Sequence, residues 1–322
     1  MLEKVLALPV VQEFLADTVF IKETGIFWAS SGDVTAWRRF EHTLPKSVGT
    51  AKGTKFLKVL ETYTEPVLEV KDSELVIKEK ASYSKFPITN YQKAFEPPEV
   101  PAETRLPFGP VVQYIAVNKL PGVAPKIWGL EIPGIWIHSE GVFAIDFGLF
   151  LIHEASFPIE EPVFIPTRFA NLLDPGLLTI DLYQERVVMS CPAFGISLAK
   201  AIGSFDQAKQ LIPAPEPLAD VTLLLTKQAL KRIAVLAGEL VTLKIKRRNE
   251  LWVTSPDFEE QVGILSKPIP ELTVDFKNLR LWWQTTTKHQ IAKDGDTFYL
   301  TGEAFDSSTF ILQTTLEGTG AG

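Results

Sequence analysis

The sequence predicts an α+β protein assembled from three copies of one domain, with helices alternating with groups of antiparallel strands. Three observations carry that prediction. "TKFLKVL" begins at Thr54 and "TRFANLL" at Thr167, 113 residues further on. Each is a basic, half-apolar helix leading into a run of strands, and an internal repeat decides a fold before any local motif does. Proline clusters, "EPPEVPAETRLP" near 96–107 and "IPAPEPL" at 212–218, are stiff and extended and divide the chain into three pieces of similar length. Inside each piece the order is the same: a short helical segment, several strands, a second helix, several more strands. The repeats are expected at 1–98, 105–208 and 217–316. The small residues of the tail 317–322, "EGTGAG", are expected to be disordered.

In the first piece, "MLEKVLALPVVQEFLAD" suits a short amphipathic helix, because Glu3, Lys4, Pro9 and Glu13 break the apolar core that a signal peptide needs. A helix over 52–63 precedes "PVLEVKDSELVIKEKASYSKFPI", which reads as two alternating strands around a Lys-Asp-Ser turn and then a third strand. In the second piece, the apolar run "GVFAIDFGLFLI" is too short to span a bilayer and contains Asp146. "IPTRFANLLDPG" is a helix over 166–174 that stops at Asp-Pro-Gly and runs into "LLTIDLYQERVVMSCPAFGISLA". In the third piece, helices over 226–237 and 275–285 precede further strands, and Asp294-Gly295 marks a tight hairpin.

The helices share a chemistry. On a helical wheel, Ala229, Leu230, Ile233, Leu236 and Ala237 oppose Lys227, Gln228, Lys231 and Arg232, while Phe276, Leu279, Trp282 and Trp283 oppose Lys277, Arg280 and Gln284. Windows 52–63, 166–175, 226–238 and 275–288 hold ten Lys/Arg against three acids, +7 in 49 residues. With a total of −7, the other 273 residues carry −14. The overall acidity therefore conceals a segregated positive charge of the kind that meets phosphate. Glu69, Asp72, Glu74, Glu79, Asp257, Glu259 and Glu260 belong to the acidic remainder.

Other chemistries find little support. Cys191 is the one cysteine and reads as a small buried apolar residue; no disulfide or zinc signature is present. His42, His138, His153 and His289 lie in different segments without metal-ligand spacing. "KSVGTAKGTK" lacks the spacing of a phosphate loop, and no nucleophile motif occurs. The reading is a soluble, unsecreted, cytoplasmic protein that is not an enzyme and needs no cofactor or metal.

The repeated "TKFLKVL"/"TRFANLL" motif, the hairpin "GVFAIDFGLFLIHEASFPIEEPVFIP" and the late strand "STFILQTTL" together resemble the DNA sliding clamp family of the DNA polymerase III beta type, over the full length. Phe147, Gly148 and Leu149 replace the polar turn usual in that hairpin, as in a divergent and conceivably phage-encoded member acting in a host cytoplasm. The resemblance implies three clamp domains, each a doubled β-α-β-β-β unit, with helices lining a ring and antiparallel sheets outside. For the acidic remainder it implies an outer surface that would repel stray nucleic acid. It implies a processivity factor that encircles double-stranded DNA without sequence specificity and serves a DNA polymerase and a clamp loader, with no membrane partner. DNA contacts would fall to Lys52, Lys55, Lys58, Lys119, Arg168, Lys227, Lys231, Arg232, Lys277 and Arg280. A partner-peptide pocket would be formed by Ile145, Phe147, Leu149, Phe205, Phe310 and Leu312. A head-to-tail homodimer would meet through Tyr83, Phe86, Ile88, Val235 and Leu236. The competing class is a β-rich repeat interaction or virion structural protein that does not encircle DNA. The recurring basic helices distinguish the two, since a scaffold has no need of them.

Overall fold

The computed structural model describes all residues except 94–103, 108–125, 128–129, 132–133, 147, 171, 175, 178, 202, 237–239, 247–248, 305–307 and 317–322. Lys119, Phe147 and the tail 317–322 therefore lie outside the described residues. Six helices are described: α1 (Leu2–Leu6), α2 (Gly53–Leu60), α3 (Thr167–Ala170), α4 (Phe205–Lys209), α5 (Lys227–Leu236) and α6 (Phe276–Thr285). The side chains of Arg168, Lys227 and Leu236 are outside the described set.

The β-α-β-β-β order appears four times in full among the described residues. One copy runs from strand Val48–Ala51 through α2 to strand Ser82–Thr89, and a second from Val163–Pro166 through α3 to Phe194–Ala199. The third runs from Glu216–Leu223 through α5 to Phe258–Leu265, and the fourth from Leu272–Asp275 through α6 to Thr309–Gln313. All four of these helices have narrower bounds than the sequence predicts. α3 has four residues in place of 166–174. The opening segment forms only α1 and a single turn at Glu13–Leu15, because Pro9 offers no amide to continue a helix.

The chain folds as two compact units, Met1–Leu120 with Phe169–Ala201, and Pro121–Arg168 with Ile202–Gly322. The first contains an 11-stranded sheet and the second a 13-stranded sheet, and the paired strands are antiparallel. The proline-bounded pieces are divisions of the sequence that the sheets cut across. Strand Phe194–Ala199 continues the first sheet by pairing Ile196 with Ala36, and strand Leu149–Glu154 continues the second by pairing Phe150 with Ile311. The middle piece thus contributes to both units.

Local chemistry sets the turns. Asp72 and Ser73, both at positive φ (46° and 68°), make the two-residue hairpin foreseen at Lys-Asp-Ser. Gly295 at φ 56° turns strand Thr286–Asp294 into strand Thr297–Ala304. In the first unit Phe20 stacks on Trp28 with centroids 4.3 Å apart, and in the second Trp136 stacks on Phe164 at 4.3 Å. These rings are among the largest buried side chains of their units. No helix among the described residues is long and apolar enough to cross a membrane.

Candidate nucleic-acid interface

Three of the basic helices, α2, α5 and α6, are fixed at their start by a carboxylate or hydroxyl. α2 follows Lys52, which sits in the left-handed region at φ 62° and caps nothing with its own side chain. The cap comes instead from Asp17, whose Oδ1 accepts the Thr54 amide at 2.7 Å and the Thr54 hydroxyl at 2.6 Å. In α5 the Thr226 Oγ1 accepts the Ala229 amide at 3.1 Å, and in α6 Asp275 accepts the Asn278 amide at 2.9 Å. Burial then selects the faces. Phe56, Leu57 and Leu60 of α2, Ala229 and Ile233 of α5, and Leu279, Trp282 and Trp283 of α6 are buried.

The opposite faces carry the cations. Lys52, Lys55, Lys58, Lys231, Arg232, Lys277 and Arg280 are all exposed. Lys55 and Lys58 are three residues apart on α2, as are Lys277 and Arg280 on α6, so each pair stands one turn apart on a single helix face. Within the described residues, Lys52, Lys55, Lys58, Lys231, Lys277 and Arg280 form no ion pair. Arg232 does: its Nη2 donates to Glu260 at 2.5 Å, and that hydrogen bond raises its pKa.

The acids expected to guard an outer surface are mostly engaged close by. Glu69 pairs with Lys78 at 2.6 Å, which lowers the Glu69 pKa, and Glu74 pairs with Lys85 at 2.7 Å. Glu259 pairs with Lys246 at 2.5 Å, and Glu79 accepts the amides of Thr64 and Glu65 just beyond α2. Glu260 departs from the expectation, since it stands beside a basic helix and neutralises one of its cations, Arg232.

Of the six residues assigned to a peptide pocket, the five described ones divide between the two faces of the sheet. Ile145, Leu149, Phe205, Phe310 and Leu312 are each buried in the second unit. Leu149 lies opposite Leu312, so Leu149, Leu312 and Phe310 point to the same face of the sheet. α6 covers that face, with Trp282 edge-on to His289 at 4.9 Å. Ile145 points the other way: it shares the face of Phe143, whose ring meets Phe205 at 5.1 Å. Alternation along the strands therefore separates residues that a reading by segment had joined.

At the hairpin itself the two units correspond. In the second, the Gln313 amide donates to the Gly148 carbonyl at 2.6 Å beside the pair Leu149 and Leu312. In the first, the Ala199 amide donates to the Asp33 carbonyl at 2.8 Å beside Val34 and Leu198. The chain covers the first hairpin with its own Val11, whose amide donates to the Ser31 carbonyl at 3.0 Å. Its side chain lies against Gly32, leaving no room for a Cβ.

Among the dimer candidates, Tyr83 and Val235 are 64% and 82% exposed, and Ile88 is half-buried. Phe86 is core: it is buried and meets Phe56 edge-on at 5.3 Å. The expected joint used the strand "SYSKFPI" and the helix near Val235 and did not name the edge of a second strand, Phe258–Leu265. Strand Ser82–Thr89 pairs along 82–87 with Glu74–Glu79, but among the described residues its other edge is paired only at Ile88 and Thr89. Strand Phe258–Leu265 pairs on one side along 258–264 and, among the described residues, on the other only from Val262 onward. Ser82–Phe86 and Phe258–Gln261 are thus half-open edges in equivalent last strands. Their flanking sequences hinted at this, "KASYSKF" carrying two lysines and "DFEEQ" three acids.

Cys191 is half-buried and not fully enclosed as expected. Of the histidines, His153 faces the Ser308 hydroxyl at 3.2 Å, and burial pushes the His289 pKa down to about 4 against a hydrogen bond to the Trp283 backbone.

No protein-family model matches the sequence, and no curated protein matches it. Solved structures do match. The DNA polymerase III beta subunit of Thermotoga maritima aligns with a TM-score of 0.72 at 16% identity over 98% of this chain and 95% of that one. A putative DNA polymerase III beta subunit from Eubacterium rectale gives 0.72 at 11% identity over 98% and 95%. The Helicobacter pylori beta clamp bound to a DNA ligase peptide gives 0.69 at 15% identity over 97% and 96%. The fold of this chain is the sliding-clamp fold.

Proposed function

We propose that the protein is a DNA polymerase processivity factor, a ring-shaped sliding clamp that encircles duplex DNA without reading its sequence. The observation that carries this reading is the recurrence of unpaired, exposed Lys/Arg pairs on helices holding equivalent places in the β-α-β-β-β repeats, within a clamp fold. Mobile cations on rigid helices attract phosphates and make no base-specific contact, so the duplex is held by enclosure and can slide. In this reading the chain has three clamp domains, 1–98, 105–208 and 217–316, and their helices line the hole.

Two chains meeting head to tail would close a six-domain ring. The half-open edges supply a joint: Ser82–Phe86 of one copy would continue the sheet at Phe258–Gln261 of the other through main-chain hydrogen bonds. Tyr83 and Val235 would be covered there. For polymerase and loader, the arrangement of Val11 on its hairpin suggests how an extended partner peptide would lie along the equivalent hairpin around Gly148, through a main-chain hydrogen bond and one apolar anchor.

The test is retention. Loaded onto nicked circular DNA, the protein should remain bound through salt that strips it from linear DNA of the same sequence. Equal loss from both forms would exclude encirclement and leave the scaffold reading.

A further inference from the structure

The first unit contains a cavity of about 720 Å³ that neither the basic helices nor the strand edges use. It is walled by α1, the end of α2, the strand end at Trp37–Phe40 and the segment at Ala193–Phe194. Its walls include the aromatic rings of Trp37, Phe40 and Phe194, and its charged lining holds three carboxylates, Glu3, Glu61 and Asp174, against two cations, the Arg38 guanidinium and the Met1 amino group. Asp174 already accepts the Gly176 amide at 2.9 Å. Glu3 Oε1 is buried without a hydrogen-bond partner, and Glu61 has no ion pair among the described residues. A buried carboxylate oxygen without a donor is costly, and a cation against an aromatic wall satisfies both the oxygen and the ring faces.

We propose that this cavity binds a small organic cation with an aromatic or aliphatic body, its positive group against Glu3 and its body against Trp37 and Phe194. The charge imbalance selects cations over anions. The aromatic walls select an organic cation over a metal ion, whose hydration shell they cannot replace.

Benzamidinium is the probe, with neutral benzamide and anionic benzoate as controls, titrated calorimetrically into the full-length protein. Benzamidinium should bind with a Kd at or below about 1 mM, as one charge contact and one ring contact allow, and benzoate should not bind. Glu3→Gln should weaken benzamidinium about tenfold and leave benzamide unchanged, the loss expected of one charge-assisted contact. Because Glu3 is on α1 and its replacement could disturb the fold, exposed Glu61→Gln is the second variant and should weaken benzamidinium severalfold at an unaltered melting temperature. Equal affinity for benzamide and benzamidinium, indifference to both substitutions, or no binding of benzamidinium would overturn the assignment.

Discussion

The Arg232 guanidinium donates to the Glu260 carboxylate at 2.5 Å, so one cation of the basic helix series is already neutralised, while its neighbour Lys231 is free of ion pairs. The two should therefore differ in DNA binding. Lys231→Ala should reduce the slope of log affinity against log salt by about 0.9, the contribution of one phosphate contact, and Arg232→Ala by less. Glu260→Gln should strengthen binding. Fluorescence titration at several salt concentrations reads all three, and equal effects of Lys231→Ala and Arg232→Ala would show that the ion pair opens on DNA.

Asp17 caps α2 from outside the helix, so its loss removes two hydrogen bonds from the start of a basic helix. Asp17→Ala should cost about 1–2 kcal/mol, the usual range for a lost helix cap, with added strain because Asp17 has φ 46°. Asp17→Asn, which tolerates that conformation, should cost less. Urea denaturation of the two variants checks the order.

His289 is held neutral in the folded protein, with its pKa near 4 against an ordinary value of 6.5. Between those values the unfolded chain binds a proton that the folded chain refuses, so stability should fall as pH drops from about 6.5 towards 4. Since His289 is only partly buried, the loss should be about 1–2 kcal/mol, less than the full shift would give. His289→Phe should flatten this part of the profile in urea titrations at pH 7 and 4.5; an unchanged slope would assign it to other groups.

Val235 is 82% exposed on α5. Val235→Asp should leave the melting temperature within about 1–2 °C of the parent, as expected for a surface position. It should nevertheless shift a head-to-tail dimer towards monomer in sedimentation at micromolar concentration. A dimer that persists at the same concentration would remove this helix from the joint.

Leu312 is 2% exposed beneath α6. Leu312→Ala should cost about 2–5 kcal/mol through the cavity it leaves. A loss of polymerase stimulation in that variant would then reflect unfolding unless melting is measured alongside. A variant that melts like the parent would contradict the packing around Leu312.

Much of the fold was legible in the sequence because it rests on local periodicity. The apolar stripe of α6, the Lys-Asp-Ser and Asp-Gly turns, and the recurrence of "TKFLKVL" as "TRFANLL" depend on neighbours within a few residues, and each appears in the structure at or near its expected place. Helix lengths were less legible, since they depend on what packs against the ends: Asp17, 37 residues before Thr54 in the chain, fixes where α2 starts. The site was legible in kind and not in arrangement. Which lysines stand free, which strand edge stays open, and which of Ile145 and Leu312 faces α6 are settled by cross-strand register and by ion pairs between distant segments. A single residue of register moves a side chain to the other face of a sheet. The sequence by itself determined that cationic helices recur through a repeated α+β frame. Only the tertiary structure decided that Glu260 neutralises Arg232 on one of them, that Phe86 belongs to the core, and that the strands at Ser82 and Phe258 are left half unpaired.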